Sequence, residues 1–339
     1  MNSNQQPSRR TALARLGQVA VAGASVAAPW INVRAQTAKV IRLAHHVSLQ
    51  SEQHKAAENF AKLVETYSKG ALTVRVLPAA QAGGQREAIE SVSLGALEMA
   101  YGESGLYANY APRFGVVGLP YMYRDLAHWQ SVVDGPIGTG LAGELQKTAG
   151  LRMMNWMIGG YRDTYTRTRA IRKPEDFVGM KVRLPEAPAF VRSFRALGAI
   201  PTPIPAPEIY SALQTGVVDA MEGTNELAFT FKIFEVTKYM SRTRHMILDG
   251  SFAMNQKFYD GLPKDQQAAL DQASRESAAQ QRKEHVEREA MWFGKLKGET
   301  KLEINDVDTA AFAAKLGPLL GEFATAAKAT DILAAIKRV

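Results

Sequence analysis

The chain has 339 residues, 46% of them hydrophobic, enough for about two domains of ~150 residues with ordinary cores. It contains no cysteine, which excludes disulfides, thiolate metal sites, iron–sulfur ligation and cysteine nucleophiles together. The net charge is +8, but Arg9, Arg10, Arg15 and Arg34 fall within the first 35 positions, which hold no acid; the rest is nearly balanced, has no dense basic run interleaved with aromatics, and argues against nucleic acid as a partner.

Residues 1–35 read as an address. Ser8-Arg9-Arg10-Thr11-Ala12-Leu13 precedes a weakly apolar stretch from Leu16 to Ala28 and then Val33-Arg34-Ala35, whose small residues suit a leader peptidase. This resembles a twin-arginine export signal, and a disordered basic arm is the alternative. Cleavage after Ala35 leaves a mature chain starting near Gln36. No later apolar run has spanning length, so the expected product is soluble and periplasmic.

The mature chain opens with alternating elements. A strand at 40–44 leads into a helix at 52–69, whose apolar stripe is Ala56, Phe60, Leu63, Val64 and Tyr67. A strand at 72–76 stops at Pro78, Gly83-Gly84 opens a helix at 85–94, and a third strand covers 97–101. Such a β-α-β-α-β run predicts a largely parallel sheet with helices on both faces. The middle is less regular, with a short apolar run at 116–121, a helix from 125 to 148 broken by glycines, and a strand at 151–158. Gly159-Gly160 marks a loop or hinge, and a domain crossing is expected near it.

A second unit repeats the order: a strand through Gly179-Met180-Lys181-Val182-Arg183-Leu184, a helix at 187–197, a strand at 200–204, a helix at 207–215 and a strand at 217–221. Setting Glu90 through Met99 against Ser211 through Ala220 superposes a helix end, a glycine cap, two apolar residues and an acid. Continued without gaps, it sets Gly102-Glu103-Ser104 against Gly223-Thr224-Asn225. Met246 to Asp249 and Phe252 to Met254 read as a strand returning. From Lys264 to Lys297 there is no proline and no glycine before Gly294, which permits a helix of ~50 Å, long enough to cross both domains. Leu270, Ala278, Val286 and Phe293 are its expected inward face; a coiled-coil dimer face is the alternative. Two amphipathic helices, 309–320 and 323–336, close the chain.

Catalytic signatures are scarce. The six histidines form no ligand cluster, and no nucleophile elbow, phosphate loop or dinucleotide fingerprint is present. No cofactor or metal is therefore expected, and binding is favoured over catalysis. Arg183, at the end of a strand that stops at Pro185, sits where open α/β sheets place ligands and would suit an anion; a surface pair with Glu186 is the bland alternative.

Three stretches then carry a resemblance: Gly159-Gly160-Tyr161-Arg162, Lys173-Pro174-Glu175-Asp176-Phe177-Val178-Gly179-Met180-Lys181-Val182-Arg183-Leu184-Pro185, and Ala212-Leu213-Gln214-Thr215-Gly216-Val217-Val218-Asp219. Together they resemble the substrate-binding proteins of tripartite ATP-independent periplasmic (TRAP) transporters, the DctP-like family, over nearly all of the mature chain. The resemblance implies a two-domain α/β periplasmic binding protein of the Venus-flytrap, type II-like kind, with a long helix spanning both domains. Its expected division is 36–160 plus 249–288 for domain I and 161–248 plus 289–339 for domain II.

The resemblance also implies a carboxylate ligand, delivered to a membrane permease. Arg183 takes the position of the family's two-pronged carboxylate clamp, for which a planar guanidinium is suited. Arg162 matches a second arginine. His46, Gln85 and Glu103 match further pocket positions, and Asn225 stands near an asparagine contact that is displaced here. That many polar candidates favour a sugar acid, with a 2-oxo or dicarboxylic acid open. A monomer is expected, with a dimer through the long helix as the alternative. The rival functions are a secreted cofactor-dependent enzyme acting on a carboxylate and a receptor for a sensor kinase.

Overall fold

The structure, a computed structural model, describes residues 38–339; the expected export leader lies outside them. Strand β1 (Lys39–Ala44), helix α1 (Glu52–Tyr67), β2 (Leu72–Leu77), α2 (Gln85–Leu94) and β3 (Met99–Glu103) follow the anticipated alternation, with β1 parallel to both β2 and β3. Ser51 starts α1 by accepting the His54 N–H, and Gly95, at φ 80°, ends α2 in the left-handed region that glycine tolerates best.

Helices α3 (Ser104–Tyr107), α4 (Leu126–Val133) and α5 (Pro136–Ala149) come next. Asp125 caps α4 and Pro136 opens α5, so the segment at 125–148 is two helices divided at Asp134-Gly135. Strand β4 (Leu151–Met153) is short, and β5 (Met157–Thr166) runs on through Gly159-Gly160. Those glycines are therefore not a loop. They sit where the β5 ladder slips register, and a Cβ at Gly160, whose φ is 94°, would meet the His285 ring at 2.9 Å.

The second unit is β6 (Lys181–Leu184), α6 (Pro188–Ala196), β7 (Ile200–Pro203), α7 (Ile209–Gln214), β8 (Ala220–Thr224) and α8 (Asn225–Thr230), with β6 parallel to both β7 and β8. Its likeness to the first unit extends to element boundaries. In the alignment given above, β3 falls on β8, the start of α3 falls on the start of α8, and each strand has one parallel neighbour and one antiparallel one.

Strand β9 (Tyr239–Asn255) then joins everything. The sheet order is β2-β1-β3-β9-β5-β8-β6-β7, so two parallel trios flank an antiparallel central pair. Helix α9 (Gln256–Asp260) leads to α10 (Lys264–Glu299), followed by β10 (Glu303–Asp306), α11 (Thr309–Ala326) and α12 (Thr330–Ile336). The returning strand expected across 246–249 and 252–254 is β9, which begins earlier, at Tyr239, and runs unbroken between the two stretches.

Helix α10 packs on both halves: Leu270 and Ala273 join the core under β1 and β3, while Leu296 joins the core under β8. Its middle departs from expectation. Val286 is 64% exposed, and Gln281 and His285 point inward instead. The reason is polar: Gln281 accepts the Ile158 N–H and donates to the Ile158 carbonyl, and His285 Nδ1 lies 2.9 Å from Glu52 Oε2. Among the described residues, no helix is long and apolar enough to cross a membrane.

Candidate functional site

Arg183 is the third residue of β6, with Pro185 ending the strand just beyond it. Its side chain is 3% exposed, and its Nε donates to the Ile204 carbonyl at 2.8 Å. Among the described residues, no carboxylate lies within ion-pair distance of it. Glu186, the nearest acid in sequence, pairs with Arg86 at 3.2 Å instead. Burial pushes the Arg183 guanidinium down to about 10, against the pull of Glu222, so it stays charged at neutral pH.

Arg162 has the opposite provision. It lies on β5 with Thr224 of β8 opposite, and its Nη2 donates to Glu222 Oε1 at 2.8 Å while its Nε donates to the other carboxylate oxygen. Glu222 is wholly buried and also has His245 Nε2 at 3.2 Å. Burial alone would raise this acid, but Arg162 and His245 together hold it at about 2. One nitrogen of the fork, Nη1, is buried without a hydrogen-bond partner and lies 3.9 Å from Glu103 Oε2.

Glu103 ends β3 and is raised above the ordinary carboxylate range by burial, tempered by Arg162 and Arg183. The turn after it is fixed from behind: the Ser104 hydroxyl and Trp129 Nε1 both donate to Asp249, the latter at 2.7 Å. His46 follows β1 and lies with its Nε2 3.8 Å from Glu103 Oε1. Burial, then the charges of His45 and Arg183, press it down to about 3, so the ring is neutral, and its buried Nδ1 has no partner. Gln85 opens α2, and its buried amide nitrogen is also unpaired.

These five residues, Arg183, Arg162, Glu103, Gln85 and His46, line one cavity between the two halves of the sheet. The sixth candidate, Asn225, is not on its wall: the Asn225 amide oxygen accepts the Tyr165 hydroxyl at 2.9 Å, which ties the side chain to the core beside β8. Leu106 and Ala206 line the cavity as well. A second, adjoining chamber continues past His46, Glu103 and Leu227 and is faced by Thr224 and Glu226.

Sequence reasoning missed Glu222, His245 and Glu226 as parts of the site. Glu222 carried a usable signal, because an acid continuing an apolar strand must find a buried cation, and Arg162 stood on a neighbouring strand. His245 and Glu226 had no local signal. Among the described residues, no three His, Asp or Glu side chains are grouped to share a metal. The chemistry that remains is a cavity lined by two buried guanidiniums, one compensated and one uncompensated, suited to holding a carboxylate.

Comparison with known proteins agrees with that geometry. Residues 43–326 match the family model DctP, described as bacterial extracellular solute-binding protein, family 7. The 2,3-diketo-L-gulonate-binding periplasmic protein YiaO of Escherichia coli is 30% identical, covering 83% of this chain and 85% of that one. The C4-dicarboxylate-binding periplasmic protein DctP of Rhodobacter capsulatus is 33% identical, over 70% of this chain and 71% of that one. Among solved structures, a TRAP periplasmic solute-binding protein from Sulfitobacter with bound β-D-galacturonate superposes with a TM-score of 0.85 at 28% identity, covering 89% of this chain and all of that one.

Proposed function

This chain belongs to the DctP family, the bacterial extracellular solute-binding proteins of family 7, and we propose that it closes its two domains on a small organic carboxylate held by Arg183. TRAP solute-binding proteins are receptors rather than enzymes, and they serve transport from the periplasm. The observation that carries the reading is the buried, charged Arg183, with no acid of its own, in a cavity shared with four polar candidates. A carboxylate there would take two parallel N–H···O bonds from the fork, each charge-assisted bond contributing ~1.5–3 kcal/mol. The free Nη1 of Arg162 would add a third contact, and His46, Gln85 and Glu103 would hydrogen-bond the rest of the ligand. Asn225 would act through Tyr165 rather than on the ligand.

In this reading, residues 36–160 plus 249–288 form domain I and 161–248 plus 289–339 form domain II, hinged on β5, β9 and α10. Closure would be a hinge motion stabilised by ligand contacts from both sides. A twin-arginine leader cleaved near Ala35 would export a folded monomer, which would deliver its ligand to a TRAP membrane permease. Titration calorimetry of the mature chain, starting at Gln36, against a panel of organic acids tests the proposal. One acid should bind one to one, and Arg183→Ala should abolish that heat without unfolding the protein; affinity retained within a few-fold would sink the assignment.

A further inference from the structure

The two chambers of the cavity share His46, Glu103 and Leu227 but differ in charge. The first contains both arginines. The second has no lysine or arginine on its wall; its ionisable acids are Glu103 and Glu226, and its other polar groups include the hydroxyls of Ser48, Ser51, Thr224 and Thr230. Glu226 Oε1 accepts the Glu52 N–H at 2.8 Å, which fixes the carboxyl against the start of α1. Burial, then the charge of Glu52, pushes Glu226 up to about 8, so at neutral pH it offers a hydroxyl donor rather than a negative charge. Behind it, outside the chamber wall, the charges of His285 and Arg288 pull the other way, and His285 is already paired with Glu52 and Glu289.

A second carboxylate placed in this chamber would lose its water and meet two carboxyls and no cation. That is a costly arrangement, since a buried charge needs a partner of opposite sign. A hydroxyl is different. It can both donate and accept, and the chamber offers Thr224, Ser51 and a carboxyl group for each role. We infer that, on the receptor reading above, this cleft selects a monocarboxylate whose far end is uncharged and hydroxylated, and rejects a second carboxylate there, with Glu103, Thr224 and Glu226 as the selecting groups. The relatives described above include proteins named for each kind of acid, so membership of the family leaves the choice open, and the charge of the second chamber makes it.

The test uses matched pairs that differ only at the far carbon. Calorimetric titration of the mature chain at pH 7 with galactonate against galactarate, gluconate against glucarate, and threonate against tartrate should give the monocarboxylate of the bound pair at least tenfold tighter. Thr230→Arg places a cation at the edge of the chamber and should narrow or reverse that ratio, with circular dichroism confirming the fold. Ser48→Arg makes the same test from another lining position if the first variant does not fold. A dicarboxylate that binds the unmodified protein as tightly as its partner would overturn the selection and leave the receptor reading standing. A ratio unmoved in a folded arginine variant would also overturn it. A panel in which neither member of any pair binds, nor any other acid, would overturn the receptor reading and the inference together.

Discussion

The central strands and the outer trio of the second unit each bury an arginine at the same cavity, and they provision it differently. On β5, Arg162 receives a carboxylate across the sheet from Glu222, which is itself steadied by His245. On β6, Arg183 receives one backbone carbonyl and no acid. Burial is almost equal, at 1% and 3% exposure, so desolvation does not separate the two. The separating term is the counter-charge. A fold that buries a cation for its own stability supplies the acid, and one that buries it for a ligand withholds the acid at a cost to stability.

Replacing Arg162 by methionine is the strongest test of that contrast. It leaves Glu222 charged and buried beside only His245, and should cost about 3–5 kcal/mol, the range for breaking a buried pair. Urea denaturation followed by circular dichroism measures it, and a cost under ~1 kcal/mol would remove the distinction between the two arginines. Arg183→Met should do the reverse. Ligand affinity should fall at least ~100-fold, two charge-assisted bonds being lost. Stability should hold within ~1 kcal/mol or rise, because an uncompensated buried charge is removed. Calorimetry and the same urea curve report both halves.

Arg183→Lys sharpens the comparison at smaller scale. The charge stays, but lysine cannot bond the Ile204 carbonyl through an Nε and still present a fork, so affinity should drop ~10-fold with little change in fold. The smallest effect concerns Asp163, the neighbour of Arg162. Its buried carboxyl accepts the Arg244 N–H at 3.0 Å and is pushed up to about 7 by burial. The folded state therefore keeps a proton that the unfolded chain has released above its ordinary value near 3.8. That contribution is complete below the unfolded value and disappears as pH rises through about 7. Asp163→Asn should flatten the decline, seen as Tm recorded in steps from acidic to neutral buffer.

Much of this architecture was legible because it is local. The β-α-β-α-β pattern is written in apolar spacing and glycine caps, and the echo between 90–104 and 211–225 identified two strands that occupy equivalent places. Arg183 stood out at the end of a strand stopping at Pro185, but the resemblance carried by the stretches around it, not the strand end alone, lifted it above a surface pair with Glu186. The returning strand read across 246–254 holds even though Asp249-Gly250-Ser251 has the chemistry of a turn, and long-range contacts are the reason. Asp249 is held there by Ser104 and Trp129, and Gly250 lets the backbone of Gly102 approach so closely that a Cβ would sit 2.5 Å from its carbonyl.

The same cause explains Val286 and Asn225. The helical stripe on α10 predicts Val286 inward, but Glu52, far away in sequence, selects His285 for that side. The echo sets Asn225 against Ser104 beside the cavity, but the Tyr165 hydroxyl takes its amide oxygen. In each case a polar partner on another element decides the orientation, and no periodicity encodes it.

The place of β9 in the chain also sets a clock. β3 ends at Glu103, but the strand that completes its far edge begins pairing only at Gly250. During synthesis at ~5–20 residues per second, the first unit waits on the order of 10 s with that edge open. The second unit waits less, because β8 and the central strand β5 are made closer together. An unpaired β edge invites association with other chains. A nascent chain halted between Glu103 and Gly250 should therefore be the most dependent on holding chaperones, and the one released past Asn255 the least.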